Sequence, residues 1–205
     1  MAEVVGILLA AGESRRMGYP KALLKVGPEA DAETFVVHLS AAMLKVVARL
    51  TVVVGAHAER VRPAIPIDPR IDVVANPDWV RGQLSSIKTG IRALPGDASA
   101  ALIHLTDHPT VKSETFAAVV EAYRQSRKPI VIARYAGRRG HPVLFDRSLF
   151  DELLDAPEDQ GARVVVNADA SRIVYTDVDD PGILLDLDTP EELARAGFAL
   201  PGKVR

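Results

Sequence analysis

Residues 4–10 read Val-Val-Gly-Ile-Leu-Leu-Ala, an apolar run with no polar face. A strand with one face in water alternates between apolar and polar side chains. A run that does not alternate belongs inside a parallel sheet covered on both sides. This one segment therefore asks for helices on two faces of a sheet, and the rest of the chain supplies them. Short strand-like runs recur at 50–54, 71–75, 100–106, 129–134, 141–145 and 172–178. Between them, apolar residues fall at helical spacing over 34–48, 83–94, 113–127, 147–154, 161–167 and 190–197. Ser113 is placed to cap its helix, and Pro190 stands in the first turn of the last one. The alternation predicts an α/β fold, a mostly parallel central sheet with helices on both faces, as one domain over residues 1–205. The two successive strands over 129–145 predict a local antiparallel element. The proline-rich stretch 63–69 predicts a surface loop, and 201–205 a frayed end.

Charge and cysteine usage narrow the chemistry. With 25 basic and 27 acidic residues the net charge is -2, which gives no general attraction to nucleic acid or to an anionic membrane. No apolar stretch approaches the roughly 20 residues of a membrane span. Cysteine is absent, so disulfides, thiol catalysis and cysteine-ligated metals are excluded. Glu3 stands where a secretory leader carries Lys or Arg, and together these features predict a cytoplasmic protein.

The first strand runs into Leu9-Ala10-Ala11-Gly12-Glu13-Ser14-Arg15-Arg16-Met17-Gly18-Tyr19-Pro20-Lys21. Open α/β sheets place ligands at the carboxyl ends of their strands, where this loop begins. Small residues let the backbone turn and bring its N–H groups close to an anion. Arg15, Arg16 and Lys21 add cationic donors suited to phosphate oxygens. The combination reads as a polyphosphate cradle, with a surface turn of solvated basic residues as the alternative. It is not a Walker loop, because Lys21 lies three residues after Gly18 and is followed by Ala22. It is not a dinucleotide fingerprint either, because Ser14 stands where that pattern has glycine.

Further segments carry weaker signals. Residues 76–90 form a loop with Gly82 leading into a helix whose first turn holds Ser85 and Ser86, and a helix start offers free N–H groups. Trp79 reads as a packing anchor. Asp107 ends a buried strand on the same edge as the glycine loop, and a carboxylate there is a hard ligand for a divalent cation. Asp186 and Asp188, two apart on extended chain, point to one side, and Thr189 caps the last helix. Carboxylates gathered without a cation repel one another, and one pKa rises.

Taken together, Leu9-Ala10-Ala11-Gly12, Ser14-x-Arg16-Met17-Gly18 and Lys21 resemble the signature loop of GT-A-like nucleotidyltransferases, the MobA-like NTP transferases, and most closely the molybdenum cofactor cytidylyltransferases. Asn76-Pro77-x-Trp79-x-x-Gly82-x-x-Ser85-Ser86 and Asp186-x-Asp188-Thr189-Pro190-Glu191-x-Leu193 are similar to further segments of that family. The likeness runs from residue 6 to residue 193. It implies a Rossmann-like nucleotidyltransferase fold and transfer of a nucleoside monophosphate, CMP from CTP, to a phosphorylated acceptor of the molybdopterin type, with release of pyrophosphate. By the same resemblance Arg16, Lys21 and Asp107 are catalytic. Leu9, Ala10, Ala11, Gly12, Arg16, Lys21, Gly82 and Ser85 bind nucleotide. Asp107 and Asp188 hold Mg²⁺, with Mn²⁺ as the alternative, and the roles of Asp186 and His108 stay open. Residues 140–143 and 159–163, with Arg138, Arg139 and Arg163, fall on the acceptor side. A molybdoenzyme or its chaperone is the implied protein partner. The guanylyl-type loop reads Leu-Ala-Gly-Gly, so Ala11 adds a methyl that narrows the pocket and favours the smaller pyrimidine. The competing readings are a sugar-phosphate nucleotidyltransferase and a non-catalytic nucleotide-binding module.

Overall fold

The computed structural model describes residues 3–27 and 32–199, so the frayed end expected at 201–205 lies outside the described residues. Seven strands form one sheet: β1 (Glu3–Ala10), β2 (Arg49–Val54), β3 (Ile71–Ala75), β4 (Ala98–Leu105), β5 (Ile130–Tyr135), β6 (Arg138–Asp146) and β7 (Ile173–Asp177). Their order is β3-β2-β1-β4-β6-β5-β7. The pairs β1–β2, β1–β4, β2–β3 and β5–β7 are parallel. β6 runs antiparallel to both β4 and β5, which is the local reversal expected over 129–145.

The apolar run of β1 serves two cores at once. Val4, Leu8 and Ala10 join the core beneath α1 (Phe35–Met43), while Ile7, Leu9 and Ala11 join the opposite one. α2 is the short Ala58–Val61. α3 (Gln83–Arg92) packs Leu84, Ile87 and Ile91 on the second face, and α4 (Ser113–Ser126) packs Phe116, Val119 and Val120 on the first. α5 (Phe150–Asp155) and α6 (Arg163–Asn167) cover the second face towards β5, and α7 (Pro190–Arg195) closes a third, smaller cluster around Leu187 and Leu193. Each large apolar side chain removed from water in this way contributes about 1.5–3 kcal/mol.

Three local expectations change. α1 stops at Met43 rather than running to residue 48, because the chain turns there and Val47 packs with Met43 against Gly6. Ser113 is the first helical residue of α4 and not its cap. The cap position is Lys112, and a distant loop anchors this helix start: the buried Asp180 carboxylate accepts from the Lys112 N–H at 2.9 Å and from the Thr115 hydroxyl at 2.6 Å. β6 begins at Arg138 rather than 141, because Ala136 and Gly137, both at positive φ, make a two-residue hairpin from β5.

Candidate active site

The carboxyl ends of β1, β2 and β4 open onto a cleft of about 490 Å³. Its walls are the glycine loop, the turn after β2 at His57, the 3₁₀ turn Trp79–Arg81 before α3, and the turn after β4 at Asp107. Leu9, Ala10, Ala11, Gly12, Arg16, Lys21 and Gly82 all line it. Ser14 sits in the left-handed region at φ 56, the conformation for which other phosphate loops use glycine. Its carbonyl accepts from the N–H groups of Met17 and Gly18, and its hydroxyl accepts from the Lys21 N–H at 3.1 Å. The backbone of Lys21 is thereby fixed at the cleft wall.

The lysine side chain runs into a group of three carboxylates. Its ammonium lies 2.6 Å from Asp188, 3.3 Å from Asp107 and 3.8 Å from Asp186. Arg16 pairs with the second oxygen of Asp188. Asp107, Asp186 and Asp188 each offer one oxygen within 4.8 Å of the others. Two backbone features bring these distant residues together. The Leu187 N–H donates to the Asp107 carbonyl at 3.1 Å, and the Leu187 side chain is fully buried, which turns its two acidic neighbours the other way. Beyond it, Thr189 and Glu192 form a reciprocal capping box, and Glu192 also accepts from the Asp188 N–H at 2.9 Å.

The electrostatics follow from this packing. Burial disfavours the Lys21 charge, but Asp107, Asp188 and Asp186 outweigh it and hold the ammonium above the usual lysine pKa. Burial also disfavours charge on Asp188, yet Lys21 and Arg16 hold its pKa below the ordinary value. Asp186 goes the other way, raised first by burial and then by Asp107. The repulsion expected between bare carboxylates is thus largely met by the protein's own cations and persists mainly at Asp186. The donor set suits a hard divalent cation: three carboxylates, with the buried Asp107 Oδ1 left without a hydrogen-bond partner.

A second cavity, of about 900 Å³, lies on the other side of Asp107. Ile87, Ile103, Ile132, Val143 and Phe145 give it an apolar lining, and Arg138, Arg139 and Arg163 contribute positive charge. The segments 140–143 and 159–163 both contribute residues to it. Asp107, Gln83 and Leu105 line both cavities, Asp188 the first and Asp186 the second, so the acidic trio stands at the junction. Close by, His104, His108 and His141 cluster with tilted or edge-on rings whose centroids lie 5.5–6.5 Å apart. Burial, then the neighbouring imidazoles, pushes His104 well below its ordinary pKa and His141 down to about 4.

Some residues depart from the sequence reading. Ser85 does not line the cleft. Its hydroxyl is committed to the carbonyls of Gly82 at 2.7 Å and Asp78 at 3.0 Å, and the buried Asn76 amide holds it at 2.8 Å. Ser86 lines the cleft instead. Trp79 is a wall of the cleft as well as a packing residue. Lys88 escaped notice although it follows Leu84 by four residues, on the buried face of α3. Its ammonium donates to the Ala156 carbonyl at 2.8 Å and lies 4.0 Å from Glu158, which also pairs with Arg81.

Comparison with known proteins places this geometry. The chain is 24% identical to the molybdenum cofactor cytidylyltransferase of Escherichia coli K12, over 96% of each protein. It is 28% identical to a probable molybdenum cofactor guanylyltransferase of Rhodopirellula baltica, over 64% of this chain and 61% of that one. The crystal structure of Rv0371c from Mycobacterium tuberculosis H37Rv superposes with a TM-score of 0.77 at 28% identity, covering 96% of this chain and 98% of that one. Rv0371c has also been solved in complex with manganese; that structure gives a TM-score of 0.70 at 26% identity, covering 95% and 97%. The model of the MobA-like NTP transferase domain matches residues 6–173, which hold the glycine loop, Asp107 and strands β2 to β6 in full, and the chain belongs to this family of nucleotidyltransferases.

Proposed function

We propose that the protein moves CMP from CTP onto a phosphorylated acceptor of the molybdopterin type and releases pyrophosphate. The observation that carries this reading is the acidic trio at the junction of two cavities, with Lys21 and Arg16 beside it. The glycine-loop cleft takes the triphosphate, and the larger cavity, where Arg138, Arg139 and Arg163 stand beside an apolar wall and the carboxylates of Glu158 and Asp159, takes the phosphorylated acceptor. An acceptor phosphate oxygen attacks the α-phosphorus, and the bond from that phosphorus to the bridging oxygen of the leaving pyrophosphate breaks. The attacking phosphate is already ionised, so the reaction asks for positioning and charge neutralisation rather than a general base. Lys21 and Arg16 neutralise charge on the α-phosphate and the departing pyrophosphate. Asp107, Asp186 and Asp188 hold Mg²⁺ or Mn²⁺, which supplies further neutralisation of the phosphates when bound. Asp186, left open by the sequence, joins the ligand set on its place in the trio. Ala11, buried beside Gly55 and Trp79, supports preference for the smaller base.

The test is pyrophosphate release with each nucleoside triphosphate, Mg²⁺ or Mn²⁺, and molybdopterin-type and sugar-phosphate acceptors in turn. The expected result is release with CTP and the molybdopterin-type acceptor. Release confined to a sugar phosphate, or tighter binding of GTP than CTP, overturns the respective part.

A further inference from the structure

The cation inside the acidic trio is the protein's own. Lys21 donates to Asp188 at 2.6 Å and to Asp107 at 3.3 Å, and Asp186 lies 3.8 Å away. A divalent ion bound by the same oxygens sits at roughly 2.0–2.6 Å from each, so ammonium and metal compete for one position. Lys21 also lines the nucleotide cleft, and its backbone is pinned by Ser14 while its four-carbon stem has the rotatable bonds to reach a second position. We propose that Lys21 is the resident counter-ion of the trio, and that a divalent cation enters by expelling it, which frees the ammonium to meet the phosphates of an incoming nucleotide. This rests on the reading of the trio as the metal site and adds an order to it. Metal and nucleotide each favour the swung-out lysine, so each strengthens the other's binding, and that coupling is reciprocal. Before either arrives, the lysine keeps the carboxylates apart from adventitious cations. The consequence runs against the usual expectation for a residue that helps catalysis: without Lys21 the protein alone binds metal more tightly.

The experiment titrates Mn²⁺ into wild type and Lys21→Met, with and without α,β-methylene-CTP, and follows bound ion by electron paramagnetic resonance. One cation beside a carboxylate shifts its ion equilibrium by about 10- to 1000-fold. Lys21→Met without nucleotide is therefore expected to bind Mn²⁺ at least about tenfold more tightly than wild type, and to gain less from the analogue. Equal or weaker binding by the variant, with Mn²⁺ still taken up by wild type plus analogue, overturns the exchange alone. Wild type that takes up no Mn²⁺ in either condition overturns the metal reading and the exchange together. Amine acylation of the wild type, read at Lys21 by mass spectrometry, needs no variant. Mn²⁺ should raise labelling of Lys21 and the analogue should lower it again. Labelling that Mn²⁺ leaves unchanged or lowers overturns the exchange.

Discussion

The Lys21 ammonium lies 2.6 Å from the Asp188 carboxylate and so joins residues 167 positions apart in the chain. Lys21→Ala should keep the fold and lower turnover at least about a hundredfold, the scale for loss of a charge-stabilising donor. It should also change the acid limb of stability. Asp188 has a depressed folded pKa, so its contribution is present above the ordinary value of 3.8 and disappears as pH falls through the folded value. Without Lys21 part of that contribution is gone at neutral pH. Pyrophosphate release, with thermal melts from pH 3 to 7, checks both; near-normal turnover in a folded variant removes the phosphate role.

Gly55 ends β2 where the glycine loop and Trp79 close in. A Cβ there would stand 2.6 Å from the Ala11 carbonyl oxygen and 2.8 Å from the Trp79 Cβ. Gly55→Ala should therefore lose about 1–3 kcal/mol of stability, the cost of overpacking, and weaken nucleotide binding at the same time. Urea unfolding and a nucleotide titration measure the pair, and an unchanged nucleotide affinity would show that this wall does not shape the cleft.

Asp180 accepts from Lys112, Thr115 and Gly182 while almost fully buried. Asp180→Ala should cost about 1–3 kcal/mol, because it leaves buried donors without a partner. Nucleotide affinity should stay as in wild type. A drop in affinity as large as the drop in stability would contradict a purely architectural role.

His141 and His104 are held neutral in the fold, with Asp107 and His108 as their facing titratable groups. The unfolded chain binds protons at an ordinary pKa of 6.5, while folded His141 does so only near 4. Stability should therefore fall as pH drops from about 6.5 towards 4. His141→Gln should flatten that slope in metal-free melts; a slope as steep as that of wild type would assign the dependence elsewhere.

The chain announced its site unevenly. The unalternating run of β1 and the spacing of Arg16 and Lys21 were legible because each depends on local chemistry alone. Asp107 and Asp188 were legible as single carboxylates. Asp186 was legible as facing the same side as Asp188, but its role stayed open until the burial of Leu187 fixed the direction of both neighbours. The choice between Ser85 and Ser86 was invisible, since the Asn76 amide reaches both hydroxyls and only the carbonyls of Gly82 and Asp78 single out Ser85. Lys88 was readable from its place four residues after Leu84 but looks ordinary until Ala156 and Glu158 arrive beside it. The start of β6 at Arg138 was not legible, because the hairpin that sets it depends on two left-handed residues, one of them Ala136.

The reversed strand β6 bears on how such a protein can diversify. The glycine-loop cleft belongs to the parallel half, at the ends of β1, β2 and β4, whereas the larger cavity draws on β5, β6 and the connections around α5 and α6. The two share Gln83, Leu105 and Asp107. Changes to the β5–β6 hairpin or to residues 156–163 can therefore remodel the larger cavity while the glycine-loop cleft stays intact, and under the proposed function that half of the fold is the place to graft a new recipient specificity.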